Sequence, residues 1–130
     1  IRTVDVGVSL HTSAASARAL AESLAQTIDP SQRDFDHVFR QVWVSGAAKL
    51  TATSLKVVSA RRLDGGSTTG AEVVVRVGTA RGPVDALVAY VAVGRLSGWV
   101  YTFLPPRSVL VLADAKRLTS AVAERMRAAQ

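Results

Sequence analysis

Two histidines, His11 and His37, are the side chains of this sequence best suited to acid–base or metal chemistry. Asp34 lies three residues before His37, so the two side chains would meet on one turn of a helix, as an acid–base pair or as two metal ligands. Two ligands are too few for a transition-metal site, and the spacing places no third one. A solvated helix face is therefore the preferred interpretation, and no metal or cofactor is predicted.

No nucleophile motif accompanies the histidines. The G-x-S-x-G turn of serine hydrolases does not occur, and the sequence has no cysteine, which excludes thiolate catalysis, disulfides and cysteine metal sites. The pair Gly65 and Gly66 lacks the spacing of a phosphate-binding loop and predicts a hairpin turn. The sequence predicts a protein that is not an enzyme, with an unrecognised site around His11 or His37 as the alternative.

A row of aromatic side chains could bind a ligand. Trp99, Tyr101 and Phe103 alternate along one predicted strand, so they share one face. Such a row can stack on bases or sugars when arginines lie nearby, although a row under helices in the core is the commoner arrangement. The arginines in question are Arg61, Arg62 and Arg76. No RNA-binding pattern accompanies the row, so nucleic acid is not predicted as a partner.

The elements that must position these side chains centre on residues Ala71 to Leu104. This stretch contains three β-rich runs separated by GTARGP and GR. Such short connections force neighbouring strands to run antiparallel, which predicts a meander. Nearly every residue from Val84 to Val93 is apolar, so the middle strand should be the most deeply buried.

The first predicted strand, from Arg2 to Leu10, alternates apolar and polar residues, which indicates one face in the core and one near water. The apolar positions are Val4, Val6, Val8 and Leu10. A further strand is predicted from Leu55 to Leu63, and DGGSTTG would join it to the meander as a flexible hairpin connection.

Three helices are predicted around these strands. Thr12 or Ser13 would cap the first helix, which runs to about Ile28. A second helix would end near Ser45 and Gly46, although Trp43 and Val44 could instead begin a strand. The last helix begins at Asp114. Its docking stripe is formed by Leu118, Val122 and Met126.

Composition sets the class of protein. A chain of 130 residues with 48% apolar content predicts one α+β domain over 1–130, with an antiparallel sheet of about five strands and helices mainly on one face. No apolar run reaches the ~18–20 residues needed to span a bilayer, so no transmembrane segment is predicted in this chain. The net charge of +6 comes mainly from scattered arginines.

The order of elements resembles a known group of proteins. The helix SAASARALAESLAQ, the strand pair VAYVAVGRLSGWVYTFL and the ending AKRLTSAVAERMRAA are similar to small secreted and lipid-anchored domains of actinobacteria. The pattern also resembles the extracellular sensor domains of mycobacterial Ser/Thr kinases, which tend towards a PsbP-like α/β arrangement. The resemblance implies a non-enzymatic domain outside the cytoplasm, secreted or anchored through a removed N-terminal segment.

These observations predict a binding domain for an apolar or amphipathic ligand or a cell-envelope component. Both faces of the middle strand are apolar, whereas the predicted helices suit one side, so an uncovered face is expected to form a cleft. Its expected lining is the aromatic row with Tyr90, and Arg76 could hold an anionic head group. The alternative is an assembly module that forms a homodimer through the same sheet face.

Overall fold

The computed structural model describes residues 3–104 and 112–130. Within these ranges five strands form one antiparallel sheet in the order β1-β5-β4-β3-β2. The elements are β1 (Thr3–Leu10), α1 (Ala14–Gln26), α2 (Phe35–Phe39), a π-helix (Arg40–Ala47), β2 (Ser54–Arg62), β3 (Thr68–Thr79), β4 (Gly82–Val93), β5 (Leu96–Leu104) and α3 (Leu112–Ala128).

The predicted meander is confirmed, with β4 as the central strand of the sheet. Two-residue turns join β3 to β4 and β4 to β5. In the second turn Gly94 adopts a φ of 57°, which glycine reaches without the steric cost that a Cβ atom brings. These short turns bring the apolar runs of three strands side by side before any distant part of the chain is needed.

Two helical segments cover one face of the sheet, called here the α1 face. Ser13 caps α1 by accepting a hydrogen bond from the Ser16 N–H at 3.0 Å, and the alanines Ala17 and Ala21 pack against Ala92 of β4. Alanine has no bulk beyond Cβ, which lets the helix lie close to the sheet. α2 continues directly into the π-helix and adds Phe39, which is fully buried.

The third helix, α3, packs on the opposite face, called here the α3 face. Val122 packs against two buried clusters, one that contains Val100 and one that contains Val91, and Met126 belongs to the second cluster together with Val93. The predicted α+β class and five-stranded antiparallel sheet are confirmed, with two of the three described helices on one face. The further expectation of an open face along the central strand is wrong, because α3 buries the residues of β4 that point away from α1.

Candidate functional site

An open apolar groove of about 530 Å³ runs between β1 and α3 on the α3 face. β1 contributes the side chains of every second residue, and α3 contributes positions four residues apart, which lie on one helical stripe. The groove is lined by Val6, Val8, Leu96, Leu118, Ala121, Val122, Arg125, Met126 and Ala129.

The groove exists because α3 lies over β4 and β5 and leaves the side chains of β1 uncovered. Val6, Val8 and Leu10 are 43%, 50% and 70% exposed. The prediction that this row of β1 faces the core is therefore wrong. A strand at the margin of a sheet shows the same alternation of apolar and polar residues whether or not a helix covers its apolar side. Only the lateral position of the helix over the sheet decides whether that side is buried.

Arg125 is the one charged residue among the described residues that line the groove. Its side chain is exposed, and no described residue forms a hydrogen bond or an ion pair with it. Arg127, two residues further along the helix, instead donates to the Glu124 carboxylate at 2.6 Å and to the Thr68 hydroxyl at 3.0 Å. Within the part of the chain that the structure describes, the groove therefore presents a positive charge without a carboxylate partner next to apolar surface.

The predicted aromatic row lies on the α1 face, under the π-helix. The centroid of the Trp43 ring lies 6.0 Å from that of the Tyr90 ring and 5.0 Å from that of the Tyr101 ring. The ring centroids of Tyr101 and Phe103 lie 6.1 Å apart. The structure thus brings the predicted residues together with Tyr90, as side chains packed beneath a helical segment. Any ligand role of this row stays a prediction.

Trp99 and Tyr101 reach the edge strand on the same face. The indole of Trp99 occupies the space beside Gly7 where any Cβ atom would collide with it. The Tyr101 hydroxyl donates a hydrogen bond to the Asp5 carboxylate at 2.5 Å, and this bond raises the pKa of Tyr101. These contacts tie β1 to the α1 side of the sheet and leave its other side open.

The predicted arginine Arg76 is not part of the aromatic cluster. Its position alternates with Val75 of the α1 face, so it lies on the α3 face, where it forms an ion pair of 2.9 Å with Asp85 of β4. The two other candidate arginines also have carboxylate partners. Arg61 pairs with Glu72, and Arg62 bridges the carboxylates of Glu22 and Asp64.

Burial of the Tyr90 side chain makes the stability of the fold depend on alkaline pH. Tyr90 is 8% exposed, and desolvation raises its pKa from 10.0 to about 12, with a hydrogen bond to Thr27 acting in the opposite direction. Because the folded protein holds this proton more tightly than the unfolded chain, the stability contributed is full below about pH 10 and is lost as the pH rises towards 12. Urea unfolding between pH 10 and pH 12 should show a smaller loss of the free energy of unfolding for Tyr90→Phe than for the unchanged protein. Equal losses would contradict the assignment.

Of the two histidines, His11 has a hydrogen-bonded partner of the kind that acid–base chemistry uses. Its Nε2 lies 2.6 Å from the Ser97 hydroxyl, and its Nδ1 lies 3.4 Å from the Ser16 hydroxyl. A serine hydrolase would place a carboxylate at the second nitrogen, and none of the described carboxylates lies there. His37 is exposed on α2, and no group of three potential metal ligands occurs within the described residues.

No protein-family model matches the chain, and the comparisons with curated proteins and with solved structures give no match. None of the helices within residues 3–104 and 112–130 has the length and apolar character that crossing a membrane requires. The resemblance to actinobacterial envelope domains accordingly stays a prediction from the sequence.

Sequence reasoning missed the groove, although it identified its parts. Leu118, Val122 and Met126 were predicted as the docking stripe of α3, and Val6 and Val8 as a core row of β1. Met126 is 3% exposed and anchors the helix as expected, whereas Leu118 and Val122 are half-buried and also form the groove wall. The available signal was the presence of two apolar rows in a chain with too few elements to cover both.

Proposed function

We propose that this protein is a non-enzymatic binding domain for an amphipathic ligand with an anionic head group, held in the groove between β1 and α3. The observation that carries the proposal is the open apolar groove of about 530 Å³ with Arg125 in its wall, an arginine that has no ion-pair partner among the described residues. A volume between about 300 and 1,000 Å³ is typical of small-molecule sites. A lipid-like component of a cell envelope has this chemistry, and the extracytoplasmic location rests on the sequence resemblance.

The apolar wall supplies the affinity for the ligand's hydrocarbon part. Val6 and Val8 each retain about half of their surface in water, and burying apolar area contributes about 25 cal/mol per Å² before the cost of binding is subtracted. The described wall contains no carboxylate, so an anionic head group meets no like charge there. These two properties favour an amphipathic anion over a cation of the same length.

The direct test uses the fluorescent probe anilinonaphthalene sulfonate, which combines apolar rings with an anionic group. The protein should enhance its fluorescence saturably, and dodecanoate should displace it more effectively than dodecylamine. Equal displacement by the two competitors would mean that the groove recognises only their hydrocarbon tail and not the charge of the head group. A failure of the probe to bind the folded protein would contradict the proposal.

Replacing Arg125 by glutamine should weaken binding of dodecanoate by about threefold to tenfold, the range expected for one partly exposed charge-assisted contact. Arg127→Gln is the matched control, since it removes the same charge from the same helix at a residue already bound to Glu124. Isothermal titration of both variants measures the difference. Equal weakening would show that net charge matters and that Arg125 does not touch the ligand.

A second candidate function is assembly as a homodimer through the sheet. One observation favours it, namely that the exposed apolar row of Val6, Val8 and Leu10 lies on a strand at the edge of the sheet. A ligand-binding monomer and a sheet-paired dimer differ twofold in mass. Light scattering without any ligand therefore tests the assembly function directly, and a single mass would exclude it.

A further inference from the structure

The two edges of the sheet differ in how they are protected. β2 carries Lys56, Arg61 and Arg62, and its pairing with β3 shifts register between Val57 and Ser59. Charged side chains and bulges are the usual devices that stop an edge from pairing with another chain. β1 runs for eight residues with no proline or register shift, and its one charged residue, Asp5, is held by a hydrogen bond from the Tyr101 hydroxyl. Among the described residues, β1 is therefore the less protected edge.

The backbone groups on the free side of β1 can be assigned from one hydrogen bond. The N–H of His11 donates to the carbonyl of Arg95 at 2.8 Å, so the backbone of His11 is directed towards β5. Backbone groups alternate in direction along an antiparallel strand, and the odd-numbered residues of β1 consequently face β5. The residues whose N–H and C=O groups point away from the sheet are Val4, Val6, Val8 and Leu10.

We propose that the free edge of β1 pairs antiparallel with β1 of a second copy of this chain, so that two five-stranded sheets become one sheet of ten strands. Within the described residues β1 has no neighbour other than β5, and its outward groups repeat along a strand of about 27 Å. The inference deepens the second candidate function, because it replaces a sheet face by a sheet edge as the contact.

The sequence of β1 is self-complementary in this pairing. Residues that oppose each other across the two strands must lie on the same face of the sheet. The two-fold axis therefore passes midway between the two copies of one residue, which is named here as the residue at the axis. An axis at Asp5 would set two carboxylates directly opposite each other, which destabilises a pair of strands. An axis at Gly7 sets Val6 opposite Val8 of the other copy and Val4 opposite Leu10 of the other copy. The two-fold axis repeats each pair, and the resulting four pairs exchange about eight hydrogen bonds. Charge and pairing both favour the axis at Gly7.

Such a dimer would join the two grooves. A two-fold axis perpendicular to the sheet keeps both α3 faces on the same side, with the two β1 strands lying between the two α3 helices. The exposed rows of Val6, Val8 and Leu10 from each copy would then form the floor of one continuous trough. This consequence rests on the proposed ligand function and implies two head-group arginines per trough, whereas the strand pairing itself requires no ligand.

The pairing is tested by the mass of the protein, the Val8→Pro variant and the Val8→Thr variant, measured by light scattering over a range of concentrations without ligand. The unchanged protein should reach twice the 13.7 kDa of one chain. Val8→Pro should stay at the single mass, because proline removes an outward N–H that the fold does not use. Val8→Thr keeps the N–H and should still dimerise. A single mass for the unchanged protein, or a dimer of Val8→Pro, would overturn the proposal.

Disulfide trapping tests the register without relying on the proline variant. The chain has no cysteine of its own, and opposed residues of a hydrogen-bonded pair lie about 5.5 Å apart, within disulfide range. Mixed Val6→Cys and Val8→Cys proteins should form mainly the mixed disulfide. No crosslink, or a predominant Val6–Val6 crosslink, would overturn the axis at Gly7. Probe binding by the Val8→Pro protein separately reports on the groove, so the two proposals fail independently.

Discussion

Replacing Arg61 by methionine is expected to destabilise the fold by about 3–5 kcal/mol, since it removes the guanidinium partner of a buried carboxylate. The Glu72 side chain is 1% exposed, and its Oε1 lies 2.8 Å from the Nε of Arg61 on the neighbouring strand. An unpaired carboxylate in that position loses its hydration and gains nothing in return. Urea unfolding measures the loss.

Two controls define the origin of this effect. Arg76→Met removes an arginine from a comparable cross-strand pair with Asp85, but both partners there are substantially exposed, so a loss of about 1 kcal/mol or less is expected. The double variant Arg61→Met with Glu72→Met should recover much of the stability, because it removes the buried charge together with its partner. Similar losses for Arg61→Met and Arg76→Met would contradict the burial of Glu72.

Placing a glutamate at either Val88 or Val91 is expected to prevent folding. Both side chains are 0% exposed, Val88 beneath the helical segments of the α1 face and Val91 beneath α3. Burying an unpaired carboxylate costs several kcal/mol after relaxation, a large part of the roughly 5–15 kcal/mol that stabilises a domain. Circular dichroism and thermal melting report the outcome.

Val8→Glu is the matched control for these two variants. It makes the same substitution on a strand of the same sheet, but at a side chain that is 50% exposed. The protein should remain folded and should lose binding of the anionic probe, because the new carboxylate lies in the groove. If Val91→Glu were as well tolerated as Val8→Glu, α3 would not cover the sheet in the way the structure shows.

The central strands were predictable from the sequence because their pattern allows one solution. A run that is apolar at every position but one, as Val84 to Val93 is with Asp85 as its exception, must be covered on both faces, and short turns fix its antiparallel neighbours. The period of two likewise placed Trp99, Tyr101 and Phe103 on one face. In each case the signal is local, and no distant contact is needed to interpret it.

The groove was not predictable in the same way. The stripe of Leu118, Val122 and Met126 shows that α3 docks, but an apolar stripe fits any apolar surface, and nothing in its spacing selects the face or the lateral position. The burial of Val6 and Val8 depends on that position alone. Glu72 was missed for a related reason, because a charged residue alternating with valines indicates a water-facing side even where a partner arginine allows burial.

The pairing of β1 with β5 has a consequence for the order in which the fold forms. β3, β4 and β5 are joined by turns of two residues, whereas Leu10 of β1 and its register partner Leu96 of β5 are 86 residues apart and the other pairs of these two strands are further apart still. Each doubling of the closed loop adds about 0.6 kcal/mol of entropic cost, so this contact is the most expensive one in the sheet to make early. The strand that carries the groove and the free edge is therefore added to a preformed meander, and it is the strand whose place depends most on the remainder of the chain having already folded.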